Sequence, residues 1–306
     1  MLFIISLISF IAINLAPNSF FASGELNPNI TPEAIEELKK IYGLDKPLYI
    51  QFFSWIYSIL QLDFGISFTS GEKVKEEILS RIPITLTINI VSMILIFIIS
   101  LYFGIKSAMK KNSIFDRFTN QLSLLSFSMP SFYLALVLVL VFSIKFELFP
   151  IAGLHSVPND GSLNYYLDFA WHLTLPISII VFGGIGSLIL YIRALTIEIL
   201  KSDYIFFARA RGLDNKKILR YYILPNLYPP VITLLGLSLP GIIGGSVILE
   251  TIFSIDGMGL LFYQSALSHD YPVIMGILII GAFLTLIGNM FADLILLKLN
   301  PNYNEK

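Results

Sequence analysis

The sequence predicts an all-α protein that crosses a membrane six times, and three observations support this fold class. First, 56% of its 306 residues are hydrophobic and only 13% are charged, whereas soluble domains carry about 25% charged residues. Second, long apolar runs recur along the chain and are separated by polar segments, which is the pattern of transmembrane helices. Third, Lys and Arg cluster in a few of those segments, as in loops on the inner side of a membrane.

The same composition argues against several classes of function. A net charge of −1 gives no case for a nucleic-acid partner. Cysteine is absent and there are only three histidines, so neither a disulfide nor a metal site is expected. The GxxxxGK[ST] motif of nucleotide-binding loops is missing, so the chain is not expected to hydrolyse ATP itself. We therefore predict no catalytic residue and no cofactor bound by this chain.

The first apolar run, residues 1–16, is predicted to be the first transmembrane helix. Its apolar part rises only about 22 Å, against a hydrocarbon core of about 30 Å. We therefore expect the native chain to begin upstream of Met1. A signal peptide that ends near Ala22-Ser23-Gly24 is the alternative, although the basic start of such a peptide is missing.

Residues 17–82 are expected to form an external subdomain, because they are too polar to span the membrane. Amphipathic helices are predicted within it at 31–42 and 47–60. The membrane domain, residues 83–297, is expected to contain the other five spans, and Pro83 suits the first turn of the first of them. The five spans are 83–105, 122–142 with an interruption at Met129-Pro130-Ser131, 173–192, 227–249 and 273–297.

Basic residues set the expected orientation of these spans. The loop at 106–117 and the segment 193–220 are rich in Lys and Arg, whereas residues 251–271 contain neither. The positive-inside rule therefore places both basic segments in the cytoplasm. Six spans then put both termini there, including the tail at 298–306. Gly183, Gly184 and Gly186 favour close helix packing over a functional hinge.

The segment 202–225, SDYIFFARARGLDNKKILRYYILP, is polar and strongly basic and lies between long apolar runs. Good helix formers precede Gly212, which stands where a left-handed C-cap is least costly to the backbone. Asp214 is expected to cap a second helix, and Pro225 to end it. The segment is therefore predicted to be a helix, a glycine turn and a second helix at the membrane surface.

This segment resembles the cytoplasmic coupling loop of ABC importer permeases. The family pattern is Glu-Ala-Ala, three residues, Gly, nine residues, Ile, one residue and Leu-Pro, and the spacing of Ala208, Gly212 and Leu224-Pro225 fits it in full. The sequence DYIFFARARGL is closer to the dipeptide, oligopeptide and nickel branch of this family. Three positions depart from the pattern: Phe206, Phe207 and Tyr222. Other stretches that resemble this branch are 43–48, 63–67 (DFGIS), 81–86 (RIPITL), 129–132 (MPSF), 244–259 and 270–272 (DYP).

The resemblance implies the type I ABC importer permease fold and a multi-pass subunit of the bacterial inner membrane. It also implies a second homologous permease, two ATPase subunits that use ATP, and an external solute-binding protein. Ala208, Gly212 and Leu213 are expected to dock on an ATPase, and Arg209 and Arg211 to make charge contacts. The full set of expected coupling residues is Asp203, Ala208, Arg209, Ala210, Arg211, Gly212, Leu213, Leu224 and Pro225.

The cargo and the translocation path are less defined by the sequence. The resemblance favours di- or oligopeptides, with nickel or another metal complex as the alternative cargo. Glu250 is a candidate for the path, since ionisable groups in membranes are costly and often functional; a structural hydrogen bond, or an interfacial position where the charge costs little, is the alternative. A rival from another class is an ion-coupled secondary transporter with Glu250 and Asp293 as relays. It lacks paired broken helices and leaves the basic segment unexplained.

Overall fold

The computed structural model describes residues 6–8, 10–11, 46–238 and 246–299, and the side chains of 292, 295, 296, 298 and 299 lie outside the description. These residues form helices joined by turns, and the only strand-like pairing among them is a bridge between Ile66 and Lys73. The predicted all-helical class is therefore confirmed. The predicted helix at 31–42 and most of the first span lie outside the described residues.

The described helices are numbered here in chain order. They are α1 (Leu48–Leu60), α2 (Val74–Met109), α3 (Ile114–Ser128), α4 (Ser131–Leu138, continued by a π-helical turn at Val139–Lys145), α5 (Leu163–Leu200), α6 (Asp203–Ala210), α7 (Asn215–Ile218, continued by a π-helical turn at Leu219–Ile223), α8 (Leu224–Ser238), α9 (Val247–Ile252), α10 (Met258–Leu267) and α11 (Tyr271–Leu299). The amphipathic helix predicted at 47–60 corresponds to α1.

The chain divides into two compact units. One takes the described residues of Met1–Thr85, Gly244–Thr251 and Asp256–Thr285, and the other those of Leu86–Ile243, Ile252–Ile255 and Leu286–Lys306. The core of the first unit includes Val74, Ile78, Met258, Leu261 and Val273. The main core of the second includes Phe97, Ile105, Ile192, Ile205, Ile218, Ile223, Leu227 and Val231, so it joins α6 and α7 to α2, α5 and α8.

Helix α2 begins earlier than the sequence predicted. Pro83 lies inside this 36-residue helix, so the prediction that it occupies the first turn is wrong. Val74 and Ile78 are completely buried in the core of the first unit, and this burial stabilises the turns that precede the proline. Tertiary packing therefore offsets the one hydrogen bond that the proline removes from the helix.

Three described helices are long and apolar enough to cross a membrane: Val74–Met109, Leu163–Leu200 and Tyr271–Phe291. Helices α3 and α4 make a fourth candidate, but the chain bends by 101° between Ser128 and Ser131. The interruption predicted at Pro130 therefore coincides with a sharp bend. The fifth predicted span includes residues 239–245, which lie outside the described residues, so the count of six spans remains a prediction.

The glycine cluster of α5 is used for packing at two of its three positions. A Cβ atom on Gly186 would lie 2.5 Å from the Ser123 carbonyl oxygen, and one on Gly184 would lie 2.5 Å from Ile96 Cδ1. A Cβ atom on Gly183 would meet nothing within 4 Å. Close approach of α3 to α5 therefore requires a glycine at 186, where a methyl group would collide with backbone.

Candidate coupling loop and supporting sites

The turn at Gly212 has the geometry that its sequence predicts. Gly212 has a φ of +79°, in the left-handed region that glycine adopts without strain. Its N–H donates to the Arg209 carbonyl oxygen at 2.9 Å, and the Leu213 N–H donates to the Ala208 carbonyl oxygen at 3.2 Å. This pair of bonds is the Schellman motif, which satisfies the last carbonyl groups of a helix. Helix α6 therefore ends where the glycine was expected to end it.

The second helix also begins as predicted, but it does not end at the proline. The Asp214 carboxylate accepts a hydrogen bond from the Lys217 N–H at 3.0 Å, and so caps α7. Helical backbone then continues through the π-helical turn Leu219–Ile223 into α8, which contains Pro225 in its first turn. The prediction that Pro225 ends the helix is wrong. The wider π turn directly before it accommodates a residue that lacks an N–H.

Buried side chains fix the loop to the core of the second unit. Ile205 and Ile218 are each 1% exposed and lie in that core, and the half-buried Leu213 packs against it. Ala208 is only 2% exposed, so it faces the chain's own interior and not a partner. The prediction that Ala208 docks on an ATPase is therefore corrected. Ala208 packs on the buried face of α6, because it lies one helical turn after Ile205 on the same face.

The outer face of the loop combines cations with aromatic rings. Arg209, Arg211 and Gly212 are exposed, and the rings of Phe206 and Phe207 are 69% and 62% exposed and meet edge to face. We call these five residues the coupling surface. Of the other predicted coupling residues, the exposed ones are Asp203, Ala210 and Pro225, the half-buried ones are Leu213 and Leu224, and Ala208 is buried.

A stacked pair of tyrosines explains one departure from the family pattern. Tyr222 stands where the pattern has Ile, and its ring stacks on that of Tyr204 with centroids 6.2 Å apart and planes 13° apart. The pair links α6 to the π turn that precedes α8. The aromatic residue at 222 therefore packs both on α6 and against the core of the second unit.

Glu250 is buried and hydrogen-bonded within the first unit. Its carboxylate accepts bonds from the N–H groups of Gly259 (2.7 Å) and Leu260 (3.0 Å) and from Thr85 Oγ1 (3.2 Å). The side chain thus caps the first turn of α10. A Cβ atom on Gly257 would lie 2.5 Å from the carboxylate, so the glycine permits this approach. The geometry supports the structural alternative for Glu250, and not a position in the translocation path.

An ion pair that the sequence did not reveal joins α3 to α5. The Arg193 guanidinium donates to both carboxylate oxygens of Asp116, from Nε at 2.6 Å and from Nη2 at 2.9 Å. The Asn112 N–H (2.8 Å) and the Ser107 hydroxyl also donate to this carboxylate, which is almost fully buried. The sequence carried one relevant signal, a serine at 113 that can begin a helix. The Ser113 hydroxyl accepts from the Asp116 N–H, which places Asp116 in the first turn of α3.

Two of the stretches that resemble the peptide branch meet in space. The Ser67 hydroxyl donates to Asp270 Oδ2 at 2.6 Å across 203 positions of sequence, and the N–H groups of Phe68 and Thr69 donate to the same carboxylate. Asp270 and Ser67 are both buried. The stretches 63–67 and 270–272 therefore form one hydrogen-bonded anchor of the first unit.

No group of three or more His, Asp or Glu side chains that could hold a metal ion occurs within the described residues. His172 instead lies beside Asp168, whose backbone carbonyl oxygen is 2.8 Å from its Nδ1 atom. The His155 ring stacks on Tyr165, with centroids 3.9 Å apart. Asp293, which the rival transporter hypothesis used as a relay, is exposed.

Comparisons with known proteins agree with this architecture over nearly the whole chain. The family model for the binding-protein-dependent transport system inner membrane component matches residues 100–305, and the model for the N-terminal part of such components matches residues 1–89. The oligopeptide transport system permease protein AppB of Bacillus subtilis (strain 168) is 35% identical over 298 residues, which cover 97% of this chain and 93% of that protein.

Two other relatives differ in the cargo that their names give. The dipeptide transport system permease protein DppB of Lactococcus lactis subsp. cremoris is 32% identical over 98% of this chain and 94% of that protein. The metal-staphylopine import system permease protein CntB of Staphylococcus aureus (strain Mu50) is 32% identical over 91% of this chain and 85% of that protein.

Among solved structures, a chain of the MetNI methionine ABC transporter in an inward-facing conformation has a similar fold. The TM-score is 0.58 at 17% identity, and the match covers 73% of this chain and 96% of that one. At this identity the likeness concerns the fold alone, which is the permease fold of an ABC importer. The chain therefore belongs to the family of binding-protein-dependent transport system inner membrane components, as a multi-pass transport subunit.

Proposed function

We propose that this chain is the permease subunit of an ATP-driven importer of di- or oligopeptides, and that residues 202–225 couple it to an ATPase subunit. The observation that carries the proposal is the capped turn at Gly212. That turn holds Arg209, Arg211 and the Phe206–Phe207 pair outward, on a backbone fixed to the core. A plain topological anchor needs the positive charges, but it does not need this geometry.

The assembly that we propose contains a second homologous permease, two ATPase subunits and an external solute-binding protein. On each ATPase, an acidic rim would face the arginines of the coupling surface, and an apolar cleft would receive Phe206 and Phe207. Because these phenylalanines replace the Glu and Ala of the family pattern, this chain would select an ATPase with a more apolar cleft than the pattern implies.

Force would pass from the turn into the spans through the core of the second unit. Ile205 of α6 and Ile218 of α7 share that core with Ile105 of α2 and Ile192 of α5. Closely packed interiors transmit displacement with little compression. Closure of the ATPases on ATP would therefore move α2 and α5 together with the turn, and so change access to the cargo path. We place the loop and both termini in the cytoplasm.

Peptide cargo is supported by relatives that match nearly the whole chain and are named as oligopeptide or dipeptide permeases. The S. aureus relative is named for a metal complex. In the described residues of this chain, no cluster of metal ligands favours that cargo. The proposed cargo is therefore peptide, and a metal complex is an alternative result of the experiment below.

Reconstitution tests this function. The chain is co-expressed with permease, ATPase and binding-protein partners of the same family from its own genome, and the complex is placed in liposomes. We expect uptake of di- or oligopeptides that requires both ATP and the binding protein. Uptake of a metal complex alone would contradict the proposed cargo. Uptake driven by an ion gradient without ATP would contradict the importer class and favour the secondary transporter.

A further inference from the structure

Helix α1 has an exposed apolar side that the coupling function does not use. Tyr49, Phe53, Tyr57 and Leu60 are between 62% and 77% exposed. Their spacing of four, four and three residues places them along one side of the helix. We call these four residues the apolar stripe. Large apolar side chains that are exposed together are typical of a surface that meets a protein partner or a membrane.

The rest of α1 is amphipathic without any charge. None of its 13 residues is Asp, Glu, Lys, Arg or His. Apart from the tyrosines, its polar residues are Gln51, Ser54 and Ser58, whose spacing of three and four residues puts them on a second side of the helix. Helix geometry places the centre of this polar side about 140° from that of the apolar stripe. Helix α1 therefore has one side suited to water and another suited to an apolar medium.

A third side of α1 packs on the first apolar run of the chain. Phe52 is 5% exposed, and its ring meets the Phe10 ring edge to face with centroids 5.3 Å apart. The Trp55 ring centroid lies 6.1 Å from that of Phe10. Phe10 belongs to the run predicted to be the first span, which ends at Ala16 in the sequence. Six helical residues rise about 9 Å, so these contacts place α1 about 9 Å inside the predicted end of that span.

We infer that α1 lies along the membrane interface, with the apolar stripe among the lipid chains and the polar side toward water. Helix α1 is about 20 Å long and cannot cross a hydrocarbon core of about 30 Å. Interfacial helices bury their apolar side about 5 to 10 Å into the boundary between headgroups and chains, which agrees with the depth that Phe10 gives. Tyr49 and Tyr57 suit this position, because a tyrosine ring is apolar and its hydroxyl is polar. A water-soluble partner does not reach this depth.

An inserted α1 would hold the first unit at a fixed height on the membrane surface. The chain leaves α1 and reaches Ser67 within seven residues, where the Ser67 hydroxyl bonds Asp270. The helix is therefore joined by a short segment to the hydrogen-bonded anchor of the unit. Because α1 has no basic residue, its insertion depends on apolar area and does not require anionic lipid.

Single cysteines test this position, since the chain has no cysteine of its own. Phe53→Cys and Tyr57→Cys place thiols on the apolar stripe, and both native side chains are exposed. Ser54→Cys is the matched control, because Ser54 is exposed on the polar side. The full chain is placed in phosphatidylcholine nanodiscs, with and without cysteine-free partner subunits. A charged maleimide should alkylate the stripe thiols at least about tenfold more slowly than the control thiol, because hydrocarbon excludes a charged reagent.

A fluorophore on each thiol then reports contact with lipid. Lipids that carry a nitroxide on the acyl chain should quench the fluorophore at 53 and at 57, and should leave the one at 54 bright. Replacing part of the phosphatidylcholine by phosphatidylglycerol should not change this pattern, because the helix carries no charge. Two stripe positions are used, so that poor folding of one variant does not remove the test.

Three results would overturn the inference. Equal alkylation at all three positions would show that the apolar stripe faces water. Slow alkylation at 53 and 57 without quenching by lipid would show that protein covers the stripe; cover that requires the partner subunits would identify a subunit interface, and cover in the chain alone would identify another segment of this chain. Quenching that requires phosphatidylglycerol would show attraction by charge instead of apolar insertion. Neither cargo nor ATP enters this experiment, so its outcome is independent of the proposed function.

Discussion

At the scale of single residues, two positions hold the local geometry on which the larger structure depends. Gly212 has a φ of +79°, and a Cβ atom added to it would meet nothing within 4 Å. The constraint on this residue is therefore backbone conformation and not space. Glu250 is constrained instead by the contacts of its side chain. It is 3% exposed, and its carboxylate accepts hydrogen bonds from Thr85 and from two N–H groups of α10.

Gly212→Val should uncouple transport while the protein remains in the membrane. A β-branched residue in the left-handed region costs about 1 to 2 kcal/mol, which would displace the turn without unfolding the spans. Gly212→Asn is the matched control, because asparagine tolerates this conformation. We expect normal abundance for both variants, with weak uptake and weak ATPase retention for Gly212→Val only. Full uptake by Gly212→Val would refute the docking role of the turn.

Glu250→Gln should lower the amount of folded protein more than the uptake rate of each molecule. Both N–H groups of α10 bond one carboxylate oxygen, so a glutamine would keep them on its carbonyl oxygen and turn its N–H₂ group toward Thr85 Oγ1. A neutral acceptor bonds these donors more weakly than a carboxylate, with a cost of about 1 kcal/mol. Membrane abundance and uptake per molecule are the two measurements. Glu76→Gln is the control, since the Glu76 side chain is 70% exposed. Normal abundance with slow uptake would return Glu250 to the translocation path.

At the scale of elements, buried polar contacts decide how neighbouring helices are held. Helix α3 approaches α5 at Gly186, and the Asp116–Arg193 ion pair joins the same two helices. The Asp116 side chain is 3% exposed and the Arg193 side chain 21%. A carboxylate this deeply buried depends on its guanidinium partner, because a buried charge without one is strongly destabilising.

Arg193→Gln should destabilise the protein by about 3 kcal/mol, because it leaves the Asp116 carboxylate without its counter-ion. The double variant Asp116→Asn/Arg193→Gln should recover part of this loss, since neither group is then charged. Thermal unfolding in detergent, followed by size-exclusion chromatography, measures both effects. Arg117→Gln, at an exposed arginine of α3 that follows Asp116 in the sequence, is the control. If the single and double variants unfold at the same temperature, the unpaired Asp116 charge does not cause the loss of stability, and the stabilising role of the ion pair between α3 and α5 is contradicted.

At the scale of the whole molecule, the distribution of charge gives the expected orientation. The basic residues of 106–117 and 193–220 lie in two segments separated by two predicted spans. An even number of spans puts both segments on the same side, and the positive-inside rule makes this side the cytoplasm. The proposed contact with an ATPase requires that orientation.

Thiol labelling in intact cells tests the orientation. Asn159→Cys and Gln264→Cys should react with a reagent that does not cross the membrane. Lys111→Cys and Asn215→Cys should react only after the membrane is opened. All four native side chains are exposed, so burial does not explain a lack of reaction. Labelling of Asn215→Cys in intact cells would contradict the cytoplasmic position of the coupling surface.

The sequence by itself determined the features that depend on local physics and composition. Apolar runs and clustered Lys and Arg predicted a helical membrane protein, and the spacing from Ala208 to Pro225 led to the family. The glycine turn and the Asp214 cap were also predictable, because a few neighbouring residues determine a helix end. The burial of Ile205 and Ala208 on one face of α6 was not predicted from the sequence, because it depends on packing against α2, α5 and α8.

Only the tertiary structure decided the roles of residues whose partners are distant in sequence. Glu250 could line a path or cap a helix until Thr85 and α10 were seen around it. Ser67 and Asp270 belong to separate stretches, and their contact spans 203 positions. Pro83 lies inside α2 because buried Val74 and Ile78 stabilise the turns before it. In each case the free energy comes from burial and hydrogen bonds between distant segments, which local propensity does not contain.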